Sequence, residues 1–410
     1  MKRVAVTGIG IISPIGQSTQ DFWQALLRGD CGIGPLTRFD VSAYKVKLAA
    51  EVKDFDPTKH GMEAAEARRM DLFAQYAMAA ANQAMEDSGL MGTVPAERLA
   101  VNVSSGIGGI ETFFRESEKL LTRGPGRVSP LCIPMMIGNM AAGNIAIRYG
   151  AKGPCVPVVT ACATSTHAIG EAYRLIRHGY ADAAIAGGSE ASVNPIAIAG
   201  FTNCMALSEQ PDPMRASLPF DTRRAGFVLG EGAAVVVLEE YEHARARGAH
   251  IYAEVAGYGA TCDAFHITAP DPEGMGAARA IQLALEEAGD DGSQPLYINA
   301  HGTGTPLNDK TETLAIKHAL GEARARLTPV SSIKGATGHM LGAAGGAEGV
   351  ATMLALEAGM LPPTIHLDEP DPECDLDYVP HTARAYQAQL ALSTSLGFGG
   401  HNGVLAFRRV

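Results

Sequence analysis

Short apolar runs that stop at glycine alternate along this chain with longer stretches whose apolar residues recur at helical spacing. Residues 4–12 form the first run, passing through Gly8-Ile9-Gly10, and predict a buried strand. Residues 20–29 predict a helix carrying Trp23, Leu26 and Leu27, capped by Thr19 and closed by Gly29. An edge strand is expected at 48–52. One long amphipathic helix is expected over 63–89, with Met70, Phe73, Ala77 and Met85 on its inner face. Residues 99–103 read as a strand opening into Ser104-Ser105-Gly106, residues 124–134 as loop, and 137–149 as a helix. The run Val158-Val159-Thr160 is β-type and breaks into small residues around Cys162. Ile169, Ala172, Tyr173 and Ile176 then mark a helix that Arg174, Arg177, His178 and Gly179 close.

Beyond Gly248 the pattern begins again. A strand at 251–259 runs into glycine, and a helix follows at 276–288. A strand at 296–300 then opens into His301-Gly302-Thr303, as 99–103 opens into Ser104-Ser105-Gly106. Residues 330–333 lead through Lys334 and His339 into an Ala/Gly helix, echoing the approach to Cys162. A hairpin of 391–396 and 403–407 turns through Gly397-Phe398-Gly399-Gly400. The repeat predicts an α/β protein of two similar halves, 1–248 and 249–410, facing each other. Gly numbers 47 and aromatics make up 6%, which favours helices packed closely on sheets over a β-sandwich.

Charge and cysteines narrow the function. A net charge of −11 argues against a nucleic-acid partner. No apolar run reaches membrane-spanning length, no signal-peptide pattern opens the chain, and a membrane role is not expected. Seven scattered cysteines form neither a disulfide framework nor a CxxC pattern, so a reducing cytoplasm is expected.

Three junctions of one type each carry a reactive side chain: Cys162, His301 and His339. Ligands in α/β folds bind beyond the C-terminal strand ends, so facing halves would bring all three to one site. Cys162 is then a candidate covalent nucleophile, its thiol pKa expected to be lowered by the helix start; the ordinary alternative is a buried structural cysteine. Thr303 and Thr305 offer hydroxyls to a long thin ligand. Lys334, among small residues, is expected to pair with Glu348 or Glu312. Phe398 reads as a gate, and its N–H with that of Cys162 as an oxyanion hole. Zinc held by Cys162, His301 and His339 would lack any short ligand spacing, so no metal is expected.

The motifs T-A-C-A-T-S-T-H-A-I-G, A-H-G-T-G-T-P-L-N-D, S-I-K-G-A-T-G-H-M-L-G-A-A-G-G and S-L-G-F-G-G-H-N-G resemble those of β-ketoacyl-[acyl-carrier-protein] synthases of the Cys-His-His type. The nearest resemblance is to synthase II of bacterial fatty acid synthesis. It implies the thiolase fold, two duplicated halves in a five-layered αβαβα sandwich, in a homodimer. It implies that Cys162 takes an acyl chain from acyl carrier protein, and that His301 and His339 bind malonyl thioester and stabilise the enolate left by CO2. Lys334 would support His339. Thr303 and Thr305 would contact the phosphopantetheine arm, which arrives on the carrier, so no resident cofactor is implied. Phe398, between Gly397 and Gly399, would gate the site, and Ile107 and Phe201 would line the acyl pocket. Arg68, Arg69, Arg123 and Arg127 are candidates for docking the acidic carrier protein. Gly304 and Leu131-Cys132 depart from the synthase II pattern and leave a polyketide or aryl-polyene ketosynthase as the alternative. A non-catalytic chain-length-factor-like partner is the rival of another class.

Overall fold

The computed structural model describes all 410 residues. Its core is a nine-stranded sheet. In chain order the strands are β1 (Val4–Ile12), β2 (Leu99–Ser104), β3 (Ala183–Glu190), β4 (Gly232–Glu240), β5 (Ala253–Cys262), β6 (Leu296–Asn299), β7 (Val330–Ser331), β8 (Leu390–Gly397) and β9 (His401–Arg408). They lie in the order β2-β3-β4-β1-β5-β9-β8-β6-β7.

The duplication is explicit in that order. From its outer side, the first half runs β2, β3, β4, β1 and the second β6, β8, β9, β5. In each, the outer two strands pair in parallel and the next two pairings are antiparallel. Where the second half adds β7 beside β6, the first has only a single parallel bridge from Val101 to Cys155. The halves join where β1 meets β5 through Val4↔Val255, Ala5↔Glu254 and Val6↔Ala253.

Five helices complete the layers: α1 (Leu72–Ser88), α2 (Thr164–Arg177), α3 (Met275–Ala288), α4 (Pro306–Leu320) and α5 (Ala344–Ala358). α1 covers β1, β3 and β4 on one outside, and α3, flanked by α4, covers β5 and β9 on the other; α2 and α5 pack together between the sheet halves. Every residue of α5 from Ala344 to Leu356 is buried, as a helix walled in on all sides requires. The strand glycines explain the tight outer packing. A Cβ at Gly8 or Gly10 would lie 2.2 or 2.0 Å from the Ala84 or Ala80 carbonyl oxygen of α1. Gly257 and Gly259 stand in the same relation to Ala284 and Ala280 of α3, at 2.1 and 1.9 Å. The glycines after the first strand therefore serve helix-on-strand contact.

Local expectations failed where a distant partner intervened. The helix expected over 63–89 is two, Ala64–Ala67 and α1, because Asp71 caps α1 and its carboxylate takes the Thr112 N–H and hydroxyl at 2.9 and 2.6 Å. The cap of the first helix is Ser18, whose hydroxyl accepts from the Asp21 N–H, with Thr19 the first helical residue. Helix Ile110–Arg123 was not anticipated, and Arg123 ends it instead of lying in a loop. Residues 137–149 give a helix only from Met140, and the 48–52 strand shrinks to Leu48–Ala49. Residues 158–160 form no ladder, and Val159 is 63% exposed.

Candidate active site

Cys162 occupies the middle of a single 3-10 turn, Ala161–Ala163, that leads directly into α2. Ala161 has φ of +51°, an unfavourable conformation for a residue with a Cβ. The Thr164 hydroxyl stabilises the elbow, donating to the Ala161 carbonyl (2.7 Å) and accepting from the Thr160 N–H (2.9 Å). The second half repeats the device: the 3-10 turn Leu341–Ala343 precedes α5, and Leu341 has φ of +45°.

His301 follows β6. Its N–H donates to the Glu312 carboxylate at 2.8 Å and to the Thr394 hydroxyl at 3.0 Å, and the Gly302 N–H reaches the other Glu312 oxygen at 2.8 Å. His339 is held by its backbone, its N–H on the Val228 carbonyl (2.7 Å) and its carbonyl on the Gly230 N–H (2.9 Å). The two rings stand edge to face, centroids 5.3 Å apart, and Phe227 lies edge-on to His339 at 4.9 Å. Both ring nitrogens of His339 are buried without a hydrogen-bond partner. Burial, with the Lys334 ammonium adding to it, holds both imidazoles well below the ordinary histidine pKa, so both are neutral.

Lys334 is 1% exposed and ion-pairs with Glu348, itself 1% exposed. Its Nζ lies 2.5 Å from the His301 carbonyl oxygen and 3.4 Å from His301 Nδ1. The expected carboxylate partner is therefore Glu348, with Glu312 committed to the His301 backbone. Lys334 touches His301, not His339. An ammonium facing Nδ1 makes that nitrogen the acceptor and leaves the ring proton on Nε2. Replacing Lys334 with Met strands the Glu348 carboxylate, and the variant is expected to lose roughly 3–5 kcal/mol of stability. Calorimetry checks this, and adding Glu348→Gln should restore part of the loss.

The expectation for the Cys162 thiol is overturned. Burial pushes it up to about 12, and the nearby Lys334 charge and Phe398 N–H only partly offset this. Desolvation outweighs the helix end, so the resting group is a thiol.

One cavity is lined by Cys162, His301, His339, Thr303, Thr305 and Phe398, together with Gly397 and Phe227. The Thr303 and Thr305 hydroxyls bond each other at 2.9 Å. The Phe398 N–H points at the Cys162 sulfur, and the Cys162 N–H has no partner in the protein. Gly397 permits this approach, since a Cβ there would lie 2.7 Å from the Thr160 carbonyl and 3.3 Å from the Cys162 nitrogen. Gly399, with φ of +85°, forms the hairpin tip. Phe201 reaches the site through Phe227 (5.7 Å between rings), whereas Ile107 is 40% exposed and lies outside the cavity wall. Arg68 and Arg69 follow helix Ala64–Ala67, and Arg123 and Arg127 flank the end of helix Ile110–Arg123; all four are exposed and without ion pairs. Sequence reasoning missed Phe227, Thr394 and Asn308, which line or brace the site. Only the glycines flanking Phe227 hinted at it.

The chain matches the β-ketoacyl synthase N-terminal domain over residues 1–244 and the β-ketoacyl synthase C-terminal domain over residues 252–368. It is 52% identical to the 3-oxoacyl-[acyl-carrier-protein] synthase 2 of Synechocystis sp., covering 100% of this chain and 98% of that one. It is 50% identical to the protein of that name from Staphylococcus aureus (strain COL), at the same coverage. Among solved structures it resembles a β-ketoacyl synthase from Burkholderia phymatum (TM-score 0.92, 37% identity, both chains covered fully). It also resembles a type II PKS ketosynthase solved with its acyl-carrier protein (TM-score 0.90, 35% identity, 100% of this chain and 99% of that one).

Proposed function

The chain belongs to the β-ketoacyl synthase family, and from that premise we propose that it condenses an acyl group with malonyl-acyl carrier protein in fatty acid elongation. One observation carries the reading: two neutral, buried imidazoles face the cavity that holds the Cys162 sulfur. The Cys162 sulfur attacks the acyl thioester carbonyl, whose oxyanion takes the Cys162 and Phe398 N–H groups. The carrier's phosphopantetheine thiol leaves with the proton. Malonyl thioester then enters along Thr303 and Thr305, its carbonyl oxygen within reach of His301 and His339. The bond to the carboxylate breaks, CO2 departs, and the electron pair becomes an enolate that the imidazole N–H groups stabilise. The enolate carbon attacks the Cys162 thioester, a carbon–carbon bond forms, and the cysteine sulfur leaves as a thiolate that takes a proton from water to restore the resting thiol. The product is a 3-oxoacyl chain longer by two carbons. In this scheme the first half (1–248) supplies the nucleophile and the second (249–410) both histidines.

Mass spectrometry of the purified protein with acyl- and malonyl-carrier protein tests the reading. An acyl adduct on Cys162 and a 3-oxoacyl product support it; no adduct sinks it in favour of a non-catalytic partner. The type II PKS neighbour, at 35% identity, lies behind the synthase 2 relatives at 50–52%. A product profile of single extensions rather than long poly-3-oxo chains separates the two. We place the protein in the cytoplasm, whose reducing poise keeps Cys162 a free thiol.

We place carrier docking on Arg68, Arg69, Arg123 and Arg127, exposed cations free to meet acidic side chains. Arg68→Glu with Arg69→Glu should raise KM for carrier-bound substrate on the order of tenfold and leave KM for a free pantetheine thioester unchanged. Steady-state kinetics with both substrates decides. The homodimer is assigned to the extended segment at Cys155, where β2 meets one bridge and Val156 and Val159 are 64% and 63% exposed. An apolar sheet edge of this kind pairs with a second copy of itself. Val159→Asp is expected to convert dimer to monomer in sedimentation.

A further inference from the structure

Glu190, the last residue of β3, is fully buried and lies outside the cavity wall. No cation pairs with it. Five donors from three segments surround its carboxylate instead. Oε2 accepts from the Gly106 N–H (3.0 Å) and the Gly342 N–H (3.1 Å). Oε1 accepts from the hydroxyls of Ser105 and Ser192 (3.1 Å each) and from the Ile107 N–H at 3.3 Å.

Those donors belong to different halves. Gly106 follows β2, and a Cβ placed on it would sit 3.4 Å from the Ala161 carbonyl, on the elbow that carries Cys162. Gly342 is the central residue of the matching elbow before α5, three residues after His339. A single oxygen thus bridges the loop beside the nucleophile's elbow and the elbow beside an imidazole. We propose that the Glu190 carboxylate is the positioning residue that holds the two elbows in register, and with them the Cys162 sulfur against the two imidazoles. This rests on the condensing reading above.

Why a carboxylate stands there follows from donor geometry. Two backbone N–H groups converge on Oε2, and an uncharged amide would set its own NH2 against donors at one end or the other. Burial pushes the Glu190 carboxyl up to about 7 against the pull of those donors. The titratable group facing it is Cys162, whose thiol the Glu190 charge helps to raise.

The test compares Glu190→Gln and Glu190→Asp with wild type, above the Glu190 pKa, in two assays. Condensation requires sulfur and imidazoles in register, and alkylation of Cys162 by iodoacetamide requires the sulfur alone. In Glu190→Gln, kcat for condensation should fall on the order of 10²-fold with KM for the carrier substrates unchanged. Its alkylation should become faster, because a buried negative charge near the thiol is gone. Glu190→Asp keeps the charge but is too short to span both elbows. It should lose condensation alike and alkylate at the wild-type rate, and it decides the matter if the Gln variant does not fold. Condensation at the wild-type rate in either folded variant, or condensation and alkylation falling in parallel, overturns the positioning role. A wild-type protein that does not condense overturns the activity itself, and this inference with it.

Discussion

Cys162→Gln is expected to abolish condensation, by roughly 10⁴-fold or more, while malonyl decarboxylation continues at or above the wild-type rate. The two imidazoles and the Lys334–Glu348 pair lie on the second half, and their backbone anchors come from Glu312, Thr394 and Val228, not from the first elbow. Removing the sulfur therefore leaves in place the groups proposed to stabilise the enolate. Glutamine cannot form the thioester, so the enolate meets no electrophile and is quenched by a proton. Release of CO2 without a 3-oxoacyl product is the signature. Equal loss of both reactions would mean that the sulfur takes part in decarboxylation and that the division of labour between the halves is wrong.

His301→Ala and His339→Ala should each cut decarboxylation by about 10²–10³-fold, the cost of deleting one oxyanion donor. The two losses should not add in the double variant, because in the proposed scheme both donors serve one oxygen. pH offers a second handle. Burial keeps both imidazoles below the free value of 6.5, so they remain neutral as pH falls through that point. The decarboxylation rate of the Cys162→Gln protein should accordingly show no inflection there. An inflection near 6.5 would require a solvated, titrating imidazole, and wild-type decarboxylation in either alanine variant would remove that residue from the site.

Strands, halves and the three reactive positions were legible because each depends on residues close together in sequence. Gly8 and Gly10 have counterparts at Gly257 and Gly259 because a helix must lie against each first strand, and that demand is written locally twice. The turn at Ala161–Ala163 and its twin at Leu341–Ala343 announce themselves through small residues before a helical period. By contrast, the break before α1 depends on Thr112, forty-one residues beyond Asp71, and no local propensity records it. The run Val158-Val159-Thr160 is apolar enough for a strand, yet within one chain nothing pairs with its outer side.

From its sequence alone the protein determines what is periodic and what is covalent: the doubled α/β pattern, the glycine turns, and the presence of one thiol and two imidazoles at like junctions. Only the folded chain decides their electrostatic state. The helix start ahead of Cys162 argued for a thiolate, and burial made it a thiol. Lys334 could have met either of two carboxylates, and it reached Glu348 and the His301 ring. Glu190, unremarkable at the end of a strand, gathers donors from both halves. Desolvation and long-range partners scale with what surrounds a group in space, and a linear order of residues does not contain that neighbourhood until the halves close on each other.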